Sequence, residues 1–216
     1  MKRTDTAHEH WNTQWANIES DSKWLKPEDD VIRWADTLEK GAKILDLGAG
    51  VGRHALWLAS QGFEATALDA ASDGLAAIDQ NSGVKIVEAP MTELPFTNNT
   101  FDHIVSWNVI YHGNEDILLT TLQEIRRVLK SGGQFMGTML SNRRLPFDHA
   151  RMKGGREISR NTWVFENEKS DKRHPHYYCS GLELLTLFSG FEILWLKDQE
   201  HESKGSFHWH MIAEKL

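Results

Sequence analysis

The chain has 216 residues, 40% hydrophobic and 25% charged, enough for one α/β domain with a sizeable core. Its net charge of −7 gives no electrostatic case for binding nucleic acid or an anionic membrane. One cysteine, Cys179, excludes an internal disulfide framework; residues 1–10 lack the apolar core of a signal peptide and no stretch is long enough to span a bilayer, so a cytoplasmic location is expected.

Residues 1–40 are polar but carry Trp11, Trp15, Trp24 and Trp34. Trp11 and Trp15 stand four apart and so share a helix face, an aromatic stripe suited to packing on the rest of the fold. Pro27 fits the first position of a second helix, with Glu28, Asp29 and Asp30 in its positive first turn. The pattern predicts that this helix runs to Lys40 and stops at Gly41.

The stretch Ile44-Leu45-Asp46-Leu47-Gly48-Ala49-Gly50-Val51-Gly52-Arg53-His54 reads as a buried strand ending in an acid, a glycine turn and a helix start. Glycine permits positive φ and puts no Cβ between backbone and ligand, and the helix start behind it offers unpaired N–H groups. A dinucleotide loop would read G-x-G-x-x-G. Here Arg53 holds the third-glycine position and Gly52 falls one residue early, while Asp46 suits an ammonium group better than a pyrophosphate.

The run resembles the cofactor loop of the class I S-adenosylmethionine-dependent methyltransferases. In that family the loop cradles the methionine part of the cofactor and the acid meets its amino group, usually through water. The resemblance implies that role for Asp46, with Gly48, Ala49, Gly50, Gly52, Arg53 and His54 around the cofactor. It also implies a leading helix folded over the ligand, making residues 1–40 a helical lid and Trp11 and Trp15 its contacts.

A helix through Ala55, Leu56, Leu58 and Ala59 should end near Gln61-Gly62, and residues 63–69 should form the second strand. Asp69 lies 23 positions after Asp46, where a nucleotide-binding βαβ unit keeps the acid that accepts from ribose hydroxyls; Ala70 adjoins it. Asp73 is placed to cap a helix over 74–80, broken by Asn81-Ser82-Gly83, and residues 84–88 read as the third strand. The segment Ala89-Pro90-Met91-Thr92-Glu93-Leu94-Pro95-Phe96 matches the family at Leu94-Pro95-Phe96, but Pro90 stands where the family keeps an acid. Proline has no N–H and cannot accept from the adenine amino group. That leaves Met91 to line the adenine and the Ala89 carbonyl or the Thr92 hydroxyl to accept from it.

Residues 101–107 read as the fourth strand and Asn108-Val109-Ile110-Tyr111-His112-Gly113 as its exit loop. Ligands of doubly wound sheets bind beyond the carboxyl ends of the strands, which directs Trp107, Asn108, Tyr111 and His112 toward the transferable methyl. His112 is the candidate base, with Tyr111 and Asn108 beside it. Apolar residues from Ile117 to 129 recur at helical spacing, and Lys130-Ser131-Gly132-Gly133 is expected to end that helix. Residues 134–140 follow as a fifth strand.

Residues 141–179 break the rhythm and read as an inserted cap or substrate segment. Between Asn142 and Arg160 six bases (Arg143, Arg144, Arg151, Lys153, Arg156, Arg160) stand against Asp148 and Glu157, either as a solvated loop or as an anion pocket. His174, His176 and Tyr177 are the substrate-side candidates. His174/His176 and His208/His210 are ligand-like pairs, but no H-E-x-x-H or cysteine cluster accompanies them, and no metal is expected. A helix through Leu182, Leu185 and Phe188 ends at Gly190, and 191–197 and 207–214 form the last two strands.

The expected fold is α/β, a single domain over 1–216: a doubly wound, Rossmann-like sheet with helices on both faces. The resemblance, firm over 41–140, implies seven strands in the order 3-2-1-4-5-7-6 with the last antiparallel. It implies S-adenosylmethionine-dependent transfer of a methyl group to a small-molecule O, S, N or chalcogenide nucleophile, with S-adenosylhomocysteine as product. The layout is similar to the small-molecule branch that includes tellurite-resistance-like, type 11-like proteins, and a monomer or homodimer is expected. The alternatives are a nicotinamide-dependent reductase, against which Arg53 and the lack of a Tyr-x-x-x-Lys pair count, and a cofactor-binding regulator without turnover.

Overall fold

The computed structural model describes residues 6–201 and 203–216. Residues 1–5 of the expected lid and Glu202 of the terminal hairpin lie outside the described residues. The helices are α1 (Ala7–Trp15), α2 (Asp29–Ala35), α3 (Arg53–Ser60), α4 (Ser72–Ala76), α5 (Glu115–Val128), α6 (Leu145–Arg151) and α7 (Gly181–Leu187). The strands are β1 (Lys43–Leu47), β2 (Glu64–Asp69), β3 (Lys85–Glu88), β4 (Phe101–Ser106), β5 (Leu129–Ser141), β6 (Lys153–Ser159), β7 (Thr162–Glu166), β8 (His176–Cys179), β9 (Phe191–Glu200) and β10 (Phe207–Lys215).

The first five strands pair in parallel in the order β3-β2-β1-β4-β5. β10 runs antiparallel to β5 and β9 antiparallel to β10, which gives the expected seven-stranded order with one reversed strand. Successive strand residues alternate between two covered faces. Ile44, Val105 and Met136 pack with Val31, Ala55, Leu58 and Ile78 on one side. Leu45, Ile104 and Phe135 pack with Leu122, Ile125, Leu184 and Phe188 on the other. Burial on both faces is why these strands read as continuous apolar runs without polar alternation. Cutting Leu45 or Ile104, both fully buried, back to alanine costs about 2–5 kcal/mol.

Several local expectations give way to tertiary partners. α2 stops at Ala35 rather than Lys40. The Thr37 hydroxyl donates to the Trp34 carbonyl at 2.7 Å, and the Thr37 and Leu38 N–H groups close tight three-residue turns there. Pro27 lies outside the helix, and Glu28, its N-cap residue, turns its carboxylate to Arg53 at 2.8 Å. Asp73 does not cap α4; it lies within that five-residue helix, and the Ala71 N–H goes to Asp69 instead. α5 ends at Val128, and Leu129 already pairs with Phe101, so 130–133 form a bulged start to β5. Leu182 and Leu185 are exposed, while Leu184 and Phe188 carry the buried face of α7.

The segment 141–179 is more ordered than its sequence pattern suggests. It forms α6, the β6/β7 hairpin and β8, which pairs antiparallel with β7 and parallel with β5 at Leu140 and Ser141. The strands bring the sheet to ten. Its bases do not converge on an anion pocket. Arg143 pairs with Asp198, Arg144 with Asp148 and Arg160 with Glu183, while Arg151 lies over the Phe147 ring.

Candidate functional site

The glycine loop uses its own N–H groups. Those of Gly48 and Ala49 both donate to the Leu68 carbonyl (2.7 and 3.0 Å), Gly52 donates to Ala49, and Gly50 donates to Asp69 Oδ2 at 2.8 Å. The expected free donors at the start of α3 are therefore spent in part inside the fold. The loop's contribution is close approach. A Cβ on Gly48 would stand 2.3 Å from Val109, and one on Gly52 2.6 Å from Ile78.

A cavity of about 360 Å3 opens over the carboxyl ends of β1, β2 and β4, within the range of small-ligand sites. Gly48, Ala49, Gly50, Arg53 and His54 line it from the loop side, and Asp69 and Ala70 from the tip of β2. Pro90, Met91 and Thr92 line it beyond β3. Trp107, Asn108 and His112 close the far end, and Trp11 and Trp15 roof it. Asp46 and Gly52 are not on its wall. Asp46 is buried beneath the loop, where its Oδ2 accepts from the Ala55 N–H at 3.0 Å and its Oδ1 lies 3.9 Å from His54 Nδ1.

Asp69 is half-buried at the tip of β2. Burial pushes its carboxyl up, the N–H groups of Ala71 and Gly50 pull it back, and the Asp46 charge raises it again. The roof is an aromatic cluster. Trp11 stacks on Trp15 with centroids 5.0 Å apart, Trp24 meets both edge-on, and the Arg53 guanidinium lies 5.0 Å above Trp24. Among the described residues, the indole N–H groups of Trp11 and Trp107 are buried without a hydrogen-bond partner. Both residues line the cavity, and unmet buried donors are costly unless a ligand takes them.

On the β4 side of the cavity, Asn108 holds φ +63, a conformation asparagine tolerates better than most residues. Its Oδ1 accepts from the Thr138 hydroxyl at 3.0 Å, and its amide nitrogen lies 3.3 Å from His201 Nε2. His112 Nε2 is 3.6 Å from Asp171 Oδ2 and its ring meets His176 edge-on at 4.7 Å. Tyr111, His174, His176 and Tyr177 are off the cavity wall. Tyr111 packs under the Lys172 ammonium, and the Tyr177 hydroxyl donates to Glu115. His174 Nδ1 meets the Thr6 hydroxyl at 2.8 Å. Burial pushes the His176 imidazole down to about 3, with the Lys172 cation adding to the effect.

Sequence reasoning missed Trp24, Glu88 and Val109 on the wall, and Asp171 behind His112. Trp24 and Val109 carry no spacing signal. Glu88 pairs in register with Asp69 at the strand ends, a position that the alternation of β3 could have marked.

A family model for a methyltransferase domain matches residues 44–133, the segment from β1 to the start of β5. The chain is 34% identical over 159 residues to a candidate methyltransferase of Encephalitozoon cuniculi, covering 70% of each. It is 35% identical over 107 residues to the sarcosine/dimethylglycine N-methyltransferase of Aphanothece halophytica, a match that spans 45% of this chain and only 38% of that protein. It also superposes on the Burkholderia thailandensis 1,6-didemethyltoxoflavin-N1-methyltransferase, solved with its substrate and S-adenosylhomocysteine, at a TM-score of 0.70 and 19% identity over 100% of this chain and 91% of that one. The glycine loop, the acid at the end of β2 and the unmet donors of the cavity fit S-adenosylmethionine as cofactor. The chain belongs to the class I S-adenosylmethionine-dependent methyltransferases.

Proposed function

We propose that the chain transfers a methyl group to the O, S, N or chalcogenide atom of a small molecule. The observation that carries this reading is one continuous cavity bounded by Asp69 at one end and His112 at the other, beneath a tryptophan roof. The roof from α1 leaves space for a small acceptor rather than a polymer, so α1 is assigned as the lid and 141–179 as the cap over the acceptor end.

Asp69 accepts from the ribose hydroxyls, and the loop backbone at Gly48, Ala49 and Gly50 sets the depth of the amino-acid tail. Asp46 acts from below by holding the Ala55 N–H and so the start of α3. Pro90 cannot recognise adenine through a side-chain acceptor; Met91 and Thr92 line that region instead. The cofactor supplies an electrophilic sulfonium methyl group. Beyond it, Trp107 and Trp11 exclude water and favour in-line approach. His112, backed by Asp171, takes the proton of a hydroxyl or thiol acceptor.

The test is calorimetric titration with S-adenosylhomocysteine and with reduced nicotinamide cofactor, followed by a methylation screen of thiols, phenols, amines and oxyanions of selenium or tellurium. Binding of the first ligand, with turnover of at least one acceptor class that falls more than about 100-fold in His112→Ala, supports the reading. Binding of the nicotinamide cofactor alone sinks it.

A further inference from the structure

The polar groups behind His112 are not fully explained by an acid–base pair. His176 Nδ1 lies 2.8 Å from the His174 carbonyl oxygen. A carbonyl only accepts, so Nδ1 carries the hydrogen, and Nε2 of a neutral ring presents a lone pair. That lone pair stands 3.1 Å from Asp171 Oδ2. Two acceptors thus face each other, and beside them His112 Nε2 lies 3.6 Å from the same oxygen, buried without a hydrogen-bond partner among the described residues. His112 as a whole is 8% exposed.

We propose that His112 Nε2, His176 Nε2 and Asp171 Oδ2 form a binding site for one divalent ion of the zinc type. The three ligand atoms lie within 4.8 Å of one another. Bonds of about 2.0–2.1 Å to a tetrahedral ion place its ligands roughly 3.3 Å apart, between the 3.1 and 3.6 Å observed. The donor set of two imidazoles and a carboxylate suits zinc and its first-row neighbours. The carbonyl behind His176 is the kind of outer partner that fixes the tautomer of a metal-binding histidine. Asp171 keeps 22% of its side-chain surface open, which leaves an entry path. Lys172, the next residue, packs its ammonium over the rings of Tyr111 and Tyr178 at 5.5 and 5.4 Å.

The ligands come from two parts of the fold. His112 leaves β4, whereas Asp171 and His176 belong to the cap. Backbone pairing already joins them, since His112 bridges His176 and the Tyr177 N–H donates to the Tyr111 carbonyl at 2.9 Å. An ion would clamp the cap to the acceptor wall and fix the His112 ring. Three protein ligands leave the fourth corner to water or to the heteroatom of the acceptor. In this last role, which rests on the methyl-transfer reading, the ion replaces the imidazole as the group that lowers the acceptor's pKa.

The experiment uses the full chain, stripped by chelator dialysis and titrated with ZnCl2 or CoCl2, with S-adenosylhomocysteine binding measured in parallel. The expected result is one zinc per chain, a visible spectrum of tetrahedral Co2+, and affinity lowered more than about 100-fold in both Asp171→Ala and His176→Ala, with S-adenosylhomocysteine binding retained. Wild-type protein that binds S-adenosylhomocysteine but no stoichiometric ion overturns the proposal and leaves His112 as a base. Zinc bound equally well by both variants and by His112→Ala also overturns it. Loss of S-adenosylhomocysteine binding with metal binding intact would strike the cofactor reading alone.

Discussion

Trp15 closes directly on Gly50: a Cβ added to that glycine would stand 2.8 Å from Cζ2 of the indole. Gly74 of α4 completes the contact, since its own Cβ would meet Trp15 Cδ1 at 2.7 Å and the Gly50 backbone at 2.8 Å. Loop, α1 and α4 thus touch at a point with no room for a side chain at Gly50 or Gly74. Gly50 also holds φ +54, which costs an alanine about 1 kcal/mol or more before any clash.

Gly50→Ala should therefore push α1 off the loop. The expected outcome is a fall in melting temperature of about 3–8 °C and a loss of S-adenosylhomocysteine affinity of roughly tenfold or more by calorimetry. Adding Trp15→Ala removes the clash but not the backbone strain, so it should restore part of the stability. Equal stability losses in the single and double variants would refute the contact.

Asp69→Asn separates binding from folding. Burial raises the Asp69 carboxyl, so the folded state holds its proton more tightly than the unfolded one. Ionised Asp69 then subtracts stability at neutral pH, and that cost vanishes as pH falls through the raised folded-state value. Asparagine removes the charge but leaves one of the two N–H groups on Gly50 and Ala71 poorly met. The melting temperature at pH 7 should stay within a few degrees of wild type, while cofactor affinity falls about 10–100-fold. A large loss of stability with affinity intact would contradict the ribose role.

Glu183 sets an acid limit at the start of α7. Burial raises its carboxyl, but the Ser180 N–H, Asn161, the Ser180 hydroxyl and Arg160 together bring it down to about 2. A depressed carboxylate contributes stability above its ordinary value of 4.5 and loses it as pH falls toward 2. Glu183→Gln should cost about 2 kcal/mol near neutral pH because the capping box with Ser180 is broken. The gap between variant and wild type should shrink from pH 5 downward in denaturant titrations; a gap independent of pH would count against this account.

Cys179 should be chemically silent. It is fully buried in β8, its Sγ is 3.7 Å from the Leu140 carbonyl oxygen, and burial pushes the thiol up. Thiolate is the reactive form, so iodoacetamide should label the protein only at the rate at which it unfolds. Rapid labelling of native protein, followed by mass spectrometry, would show that β8 opens locally.

The strand order followed from the family resemblance, whereas the sequence by itself determined the glycine turn, the strand that ends in Asp69 and the terminal hairpin. Those features rest on local chemistry: positive φ at glycine, apolar runs long enough for strands buried on both faces, and an acid at a strand tip. Tertiary structure decided the rest. Asp46 bonds the start of α3, a choice made only when that helix docks above it. Glu28 turns to Arg53, 25 residues away, instead of to its own helix. The order within 141–179 depends on β8 finding the end of β5, and its hairpin carries no apolar period of its own because β6 lies mostly exposed at the sheet edge. His112, Asp171 and His176 meet only because the segment 141–179 folds back on the exit of β4, and sequence spacing holds no record of a distance across space.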